Sequence, residues 1–353
     1  IDNVPGDETS RNEQKGQALF LRAWNYHMLY SLFGRVPIVD HTFDLDSSFE
    51  LQREDMDKVA DFIIKDLDEA AALLPIEYSD PNDFGRVTKG AALALKSRVL
   101  LYKASPLFGT PSTEKWQAAA NAAKAVFDLN KYYLKTVNNS EEYGALFYDV
   151  KNPEVIFEKL FDPKYGSGDN NSFLYQAPCG IGNGFQGWGN FNPTQNLVDK
   201  FQMADGTASE KKTHYDYYPW NGREIRFYAA FLLDGDEWGY GKDKREVEVY
   251  YGGDETIPAG KDSNWGEYWW NASNTGYSMR KFLDPSYDAT GTTMHTTPWF
   301  FIRLSEIYLN YAECQIELGN NLEALEYINK VRTRALLPPA TGEDIRAEYE
   351  YER

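Results

Sequence analysis

The sequence predicts a mostly α-helical protein, with helical hairpins framing a loop-rich central region that carries minor β structure. Three observations predict it. Apolar residues recur at helical spacing over positions 12–130 and again from 301 to 336. Seven of the nine Trp fall between 188 and 299 and 18 of the 27 Gly between 161 and 300, so the middle differs in kind from the ends. Hydrophobic residues at 42% place the 353-residue chain among folded proteins.

The first helix spans residues 12–33, with Leu19, Ala23, Tyr26, Tyr30 and Phe33 in register, and Gly34 and Pro37 stop it. A second covers 53–74 through Val59, Ile63, Leu67, Ala70 and Leu74, ahead of Pro75. The third runs from Thr88, a plausible N-cap, to Lys103, and the Ala-rich fourth from Glu114 to Asn130. Between 131 and 300 the pattern turns to short apolar runs. "EVIFEKLF" (154–161) and the alternating "KREVEVYY" (244–251) read as strands, and "PTQNLVDKFQM" (193–203) as a helical insertion. Helical periodicity returns after "TPWFFIR" with Leu304, Ile307, Tyr311 and Leu318, then Leu325, Ile328 and Val331.

Those last helices meet at Gly319 and Asn320, with Ala312 and Ala324 where closely packed helices need small residues. The +4, +7 spacing of Ala324, Ile328 and Val331 recurs in Ala119, Ala123 and Val126 and in Ala60, Ile64 and Leu67. Three second helices thus share a tetratricopeptide-like template, and a block of about 170 residues separates the second hairpin from the third.

With 54 acidic and 36 basic residues the chain carries a formal charge of −18 and no long basic run. That balance repels phosphate backbones and anionic headgroups, which excludes nucleic acid as the expected partner. No apolar stretch is long enough to span a bilayer. The first residues lack a start Met and an apolar signal core, and "IRAEYEYER" stops inside a predicted helix, so the expectation is a chain truncated at both ends. Cys179 and Cys314 form no metal-ligand spacing and read as two small buried thiols.

Six phrases, taken in order, carry a resemblance. They are "GQALFLRAWNYHMLYSLFGRVPIV" (16–39), "GRVTKGAALALKSRVLLYKASPLF" (85–108), "FNPTQNLVDKFQMADG" (191–206), "REIRFYAAFLLDG" (223–235), "YSMRKFLDP" (277–285) and "WFFIRLSEIYLNYAECQIELGN" (299–320). At this spacing the chain resembles the SusD/RagB family of Bacteroidetes outer-surface glycan-binding lipoproteins. The resemblance implies one SusD-like domain over 1–353, tetratricopeptide-like hairpins around a sugar-binding region at 131–300, and no catalysis. It also implies a SusC-like TonB-dependent transporter as partner, and attachment to the outer membrane through an N-terminal lipid anchor that this chain does not include.

Oligosaccharides present flat apolar faces edged by hydroxyls, and proteins meet them with aromatic rings and amides. Three clusters have that composition. The first, 179–193, offers Phe185, Trp188, Asn190 and Phe191 among five glycines. Tyr217, Tyr218, Trp220 and Asn221 form the second, and Trp265, Trp269 and Trp270 the third, which ranks last because apolar neighbours flank it. Trp24, Trp116 and Trp299 lie on helices or their edges and are expected in the core.

Catalytic signatures are missing. The carboxylates Asp234, Asp236 and Glu237, with Asp254 and Glu255, read as solvated turns, and no sequence separation places two of them across a glycosidic bond. Four scattered His give no metal spacing, and Trp238 occupies the third ligand position of a would-be calcium loop. Neither a metal nor a cofactor is expected. Besides the glycan-binding reading, a peptide-binding scaffold and a surface glycosidase are the alternatives.

Overall fold

The computed structural model describes residues 4–44, 46, 50–161, 189–209, 220–239, 244–252, 258–267, 269–286 and 296–353. Helix α1 (Glu8–Phe33) starts where the Asp7 carboxylate accepts the Ser10 N–H at 2.8 Å. It ends at Gly34, whose positive φ of 67° lets its N–H reach the Tyr30 carbonyl at 2.9 Å. The buried stripe is Gly16, Phe20, Ala23, His27 and Tyr30, one step out of phase with the expected Leu19, Tyr26 and Phe33. Phe33 is 65% exposed and joins Leu21, Met28, Leu29 and Leu32 in an outward apolar row.

The antiparallel partner α2 (Met56–Leu73) buries Val59, Ala60, Ile63, Leu67 and Ala70. Ile63 faces the core, and Ile64, which the repeat template selected, is only half-buried. Gly16 is where this hairpin closes most tightly, since a Cβ there would lie 2.8 Å from Leu74 Cγ. The second hairpin pairs α3 (Lys89–Ala104) with α4 (Thr113–Phe127), each capped by a hydroxyl, Thr88 and Ser112 respectively. Trp116 is buried in its interface, as expected.

The central block opens with α5 (Ser140–Ala145) and strand β1 (Val155–Lys159). Short elements follow: α6 (Gln195–Val198), α7 (Ile225–Ala230), β2 (Phe231–Leu232), β3 (Glu237–Trp238), β4 (Arg245–Glu246) and β5 (Ser278–Met279). Strand β6 (Trp299–Arg303) then runs antiparallel to β1, with Val155 opposite Arg303 and Lys159 opposite Trp299. Trp299, expected in the core, sits at the open end of that pair, 37% exposed and stacked on Phe282 at 5.2 Å.

The third hairpin joins α8 (Leu304–Glu317) and α9 (Asn321–Arg334) through Gly319 at φ 80°, with Ala312 and Ala324 fully buried between them. A last helix, α10 (Ile345–Glu352), packs on both. One apolar core runs through α1–α4, β1, β6 and α8, while the central block has small cores of its own. Among the described residues no helix is long and apolar enough to cross a membrane. Cys314 is buried with a free thiol whose ionisation burial suppresses, and Cys179 lies outside the described residues.

Candidate functional site

Two backbone pins build an exposed aromatic surface among the described residues of the central block. The first is Gly189, at φ 55°, where an added Cβ would meet the Asn271 carbonyl oxygen at 2.1 Å. Only glycine fits that approach. Beside it the Asn192 amide donates to the Gly189 carbonyl at 2.6 Å and accepts from the Asn274 N–H at 2.7 Å. The end of the Gly-rich segment is thereby fixed against the turn that carries Trp269 and Trp270. Sequence reading put these residues in separate clusters; the fold puts Asn190 and Phe191 next to the third.

The second pin is Asp262, which is buried. Its carboxylate accepts two hydrogen bonds from Arg245, at 2.8 and 2.7 Å, and one from the Glu248 N–H at 2.9 Å. Glycine recurs here as well, because a Cβ on Gly260 would come within 2.4 Å of the Glu248 carbonyl oxygen. The segment 248–252 is so held against the turn at 260–266.

On these pins stand rings that burial would ordinarily claim. Trp265, Trp269 and Trp270 are 69%, 62% and 59% exposed, Tyr251 70% and Phe191 48%. Tyr251 meets Trp265 edge-on at 5.5 Å, and Trp269 meets Trp270 at 6.2 Å with planes 85° apart. Leaving so much aromatic area in water forgoes about 1.5–3 kcal/mol per ring, an exposure that folded proteins ordinarily avoid away from interaction surfaces. Asn190 and Asn274, both exposed, supply amide donors and acceptors at its edge.

Trp220 is half-buried at the edge of a core of Val198, Phe227, Phe231 and Leu233, and its carbonyl accepts the Tyr228 hydroxyl at 2.7 Å. Asn221 next to it is exposed. Phe185, Trp188, Tyr217 and Tyr218 lie outside the described residues. Tyr251 is the residue that sequence reading passed over, absorbed into the alternating run 244–251. Its signal was the Tyr pair at the end of that run, just before a Gly pair.

The acidic turn at 234–237 is partly buried, where solvated turns were expected. Asp234 accepts the Val249 N–H at 2.8 Å and Asp236 the Leu233 N–H at 2.9 Å, so both brace the fold. Burial holds the Asp236 carboxyl above its ordinary range. Trp238, which broke the calcium pattern, is buried with Leu232, Val247 and Leu283. Among the described residues no group of three or more His, Cys, Asp or Glu could hold a metal. Asp254 and Glu255 lie outside them.

Comparison with known proteins agrees with this architecture. A SusD-like protein of Bacteroides fragilis superposes with a TM-score of 0.84 and 29% identity, covering 100% of this chain and 68% of that one. A SusD-like carbohydrate-binding protein of the same species gives 0.80 and 25%, covering 99% and 65%. A SusD-like protein of Formosa agariphila is 23% identical over 95% of this chain, which spans 59% of that relative's length. Residues 2–101 match a family described as starch-binding and associating with the outer membrane. Residues 153–350 match the SusD family model, which covers more than half of the sequence, and the chain belongs to the SusD family.

Proposed function

We propose that this chain is a non-catalytic glycan-binding subunit of an outer-membrane uptake system. It captures oligosaccharide at the cell surface and delivers it to a SusC-like TonB-dependent transporter. The observation that carries the reading is the platform of exposed Trp265, Trp269, Trp270 and Tyr251 on a pinned backbone. Rings so held stack on sugar faces with little ordering cost. The carbohydrate-binding name of the Bacteroides fragilis neighbour and the starch-binding, outer-membrane description of the second family model support it.

Stacking plus a few amide contacts in water gives affinities of about micromolar to millimolar, weak enough for cargo to be released. The net charge of −18 suits a neutral sugar at this open surface. The apolar row of α1, Leu21, Met28, Leu29, Leu32 and Phe33, is the face this reading offers to the transporter. Attachment to the outer leaflet through a lipid belongs to the same proposal.

Affinity electrophoresis in gels cast with neutral polysaccharides tests the reading. Retardation by at least one polysaccharide, lost in Trp269→Ala, is expected, with no reducing ends released. Retardation unchanged by alanine at Trp265, Trp269 and Trp270 together would move the assignment to a protein-binding scaffold. Release of reducing ends would move it to a glycosidase.

A further inference from the structure

A second feature lies apart from the aromatic platform. Between α3, α7, β6, α9 and α10 is a partly enclosed cavity of about 680 Å³. In a chain of charge −18 its wall is cationic: seven Lys or Arg side chains face three carboxylates, with a fourth, Glu154, behind them.

Most of these cations are matched. Arg98 is held by Glu306 at 2.7 and 2.6 Å, Arg226 by Glu352 at 2.6 Å and by Glu224, and Arg334 by Glu154. Arg353 donates to the Asn310 side-chain oxygen at 2.8 Å. Two are not fully matched. Arg303 keeps only a long ion pair, with its Nη1 3.7 Å from a Glu154 oxygen and making no hydrogen bond among the described residues. The Lys281 ammonium makes no hydrogen bond to a described residue and sits 4.3 Å from the centre of the Phe147 ring. Arg303 Cζ lies over the same ring at 4.8 Å, and 22% of the Arg303 side chain remains accessible where it lines the cavity.

We propose that this cavity binds an oxyanion, the carboxylate or sulfate group of a small ligand, between Lys281 and Arg303. Cations held out of bulk water with no counter-charge, as Lys281, or with only a long ion pair, as Arg303, are costly, and a fold keeps them when something else completes the pairing. Each would give the anion a charge-assisted hydrogen bond, and the guanidinium adds a planar fork suited to both groups. The volume lies in the range of ordinary small-ligand sites. Burial, then the neighbouring Arg303, Arg226 and Arg334, push Lys281 down to about 7, the mark of a cation without a counter-ion.

Isothermal titration of the chain carrying alanine at Trp265, Trp269 and Trp270, which removes sugar binding by the platform, with sodium sulfate, sodium glucuronate and glucose as separate titrants at mildly acidic pH, tests the assignment. Saturable binding of at least one anion is expected, with glucose giving none. Lys281→Met and Arg303→Met should each weaken it about tenfold or more, the loss of one charge-assisted contact. Tighter binding of glucuronate names an acidic sugar as the source, and sulfate binding as tightly or more tightly names a free oxyanion. Absence of saturable anion binding, glucose binding as tightly as the anions, or affinities unchanged in both variants overturns it. Arg303 ends a strand, so if its variant fails to fold the Lys281→Met comparison decides alone. Retention on neutral polysaccharide is unchanged by Lys281→Met, which separates this site from the platform.

Discussion

Arg98 on α3 and Glu306 on α8 stand 208 positions apart in sequence and bind each other through two hydrogen bonds, Nε to Oε1 at 2.7 Å and Nη2 to Oε2 at 2.6 Å. The same guanidinium donates to the Phe301 carbonyl at 2.8 Å, so one side chain clamps a helix of the first half to the strand and helix that begin the last part. The pair is 14% and 22% exposed, which limits solvent screening without removing it. Glu306→Ala leaves Arg98 charged and unpaired and is expected to cost about 2–4 kcal/mol in urea unfolding. The double change Arg98→Met with Glu306→Leu should recover more than half of that loss. Equal destabilisation by the single and double variants would show that the pair does not couple the two segments.

Gly189 offers a way to loosen the platform without touching an aromatic ring. Its φ of 55° and its 2.1 Å virtual Cβ contact with the Asn271 carbonyl leave no room for a side chain. Gly189→Ala is expected to displace the 189–192 segment from the Trp269 turn while the helical frame stays intact. Affinity electrophoresis should then show weakened retention with an unchanged far-ultraviolet circular dichroism spectrum. Full retention would mean that the pin plays no part in binding.

The helical frame was legible because the helices carry local evidence, in caps such as Thr88 and in stops such as Gly34. Which face turns inward was less so. In α1 the buried residues are Phe20 and His27, because Phe157 of β1 and Phe301 of β6 pack against Phe20 and Trp24. Those strands pair across roughly 140 positions, a register that no local pattern encodes. The aromatic clusters were legible as composition, but Trp220 sits half-buried in a core while Trp269 is exposed. Flanking glycines did not separate the two, since exposure depends on which long-range segments cover a ring. The unpaired Lys281 and the loosely paired Arg303 left no sequence signal, because pairing is settled only once α3, β6 and α9 converge.

Within the platform, Trp269 and Trp265 should contribute unequally. Trp269 shares its turn with Trp270 and Asn271, where the Gly189 pin holds it. Trp265 rests on Tyr251 through an edge contact at 5.5 Å. Loss of a stacking ring costs about 1–3 kcal/mol of binding, or roughly tenfold or more in Kd. Trp269→Ala is expected at the upper end and Trp265→Ala at the lower, measured by titration with the polysaccharide that retards the parent protein. The reverse order would place the centre of the ligand on Tyr251 and Trp265.

Lys281 gives a pH signature whose sign follows from its surroundings. Burial and three arginines bring its folded pKa to about 7, against 10.5 for an ordinary lysine. Between those values the unfolded chain binds more protons than the folded one, so stability rises with pH across that window and the penalty is fully present below about 7. Lys281→Met removes the unpaired charge and keeps the apolar stem over Phe147, so at pH 6 it should stabilise the chain by about 1–3 kcal/mol. The difference between variant and parent in urea unfolding should shrink steadily from pH 7 to pH 9, since by then the parent lysine folds uncharged. Other titrating groups cancel in that difference because both proteins share them. A gain independent of pH would trace to apolar packing alone, and a loss at pH 6 would show that the ammonium already has a counter-charge in the folded chain.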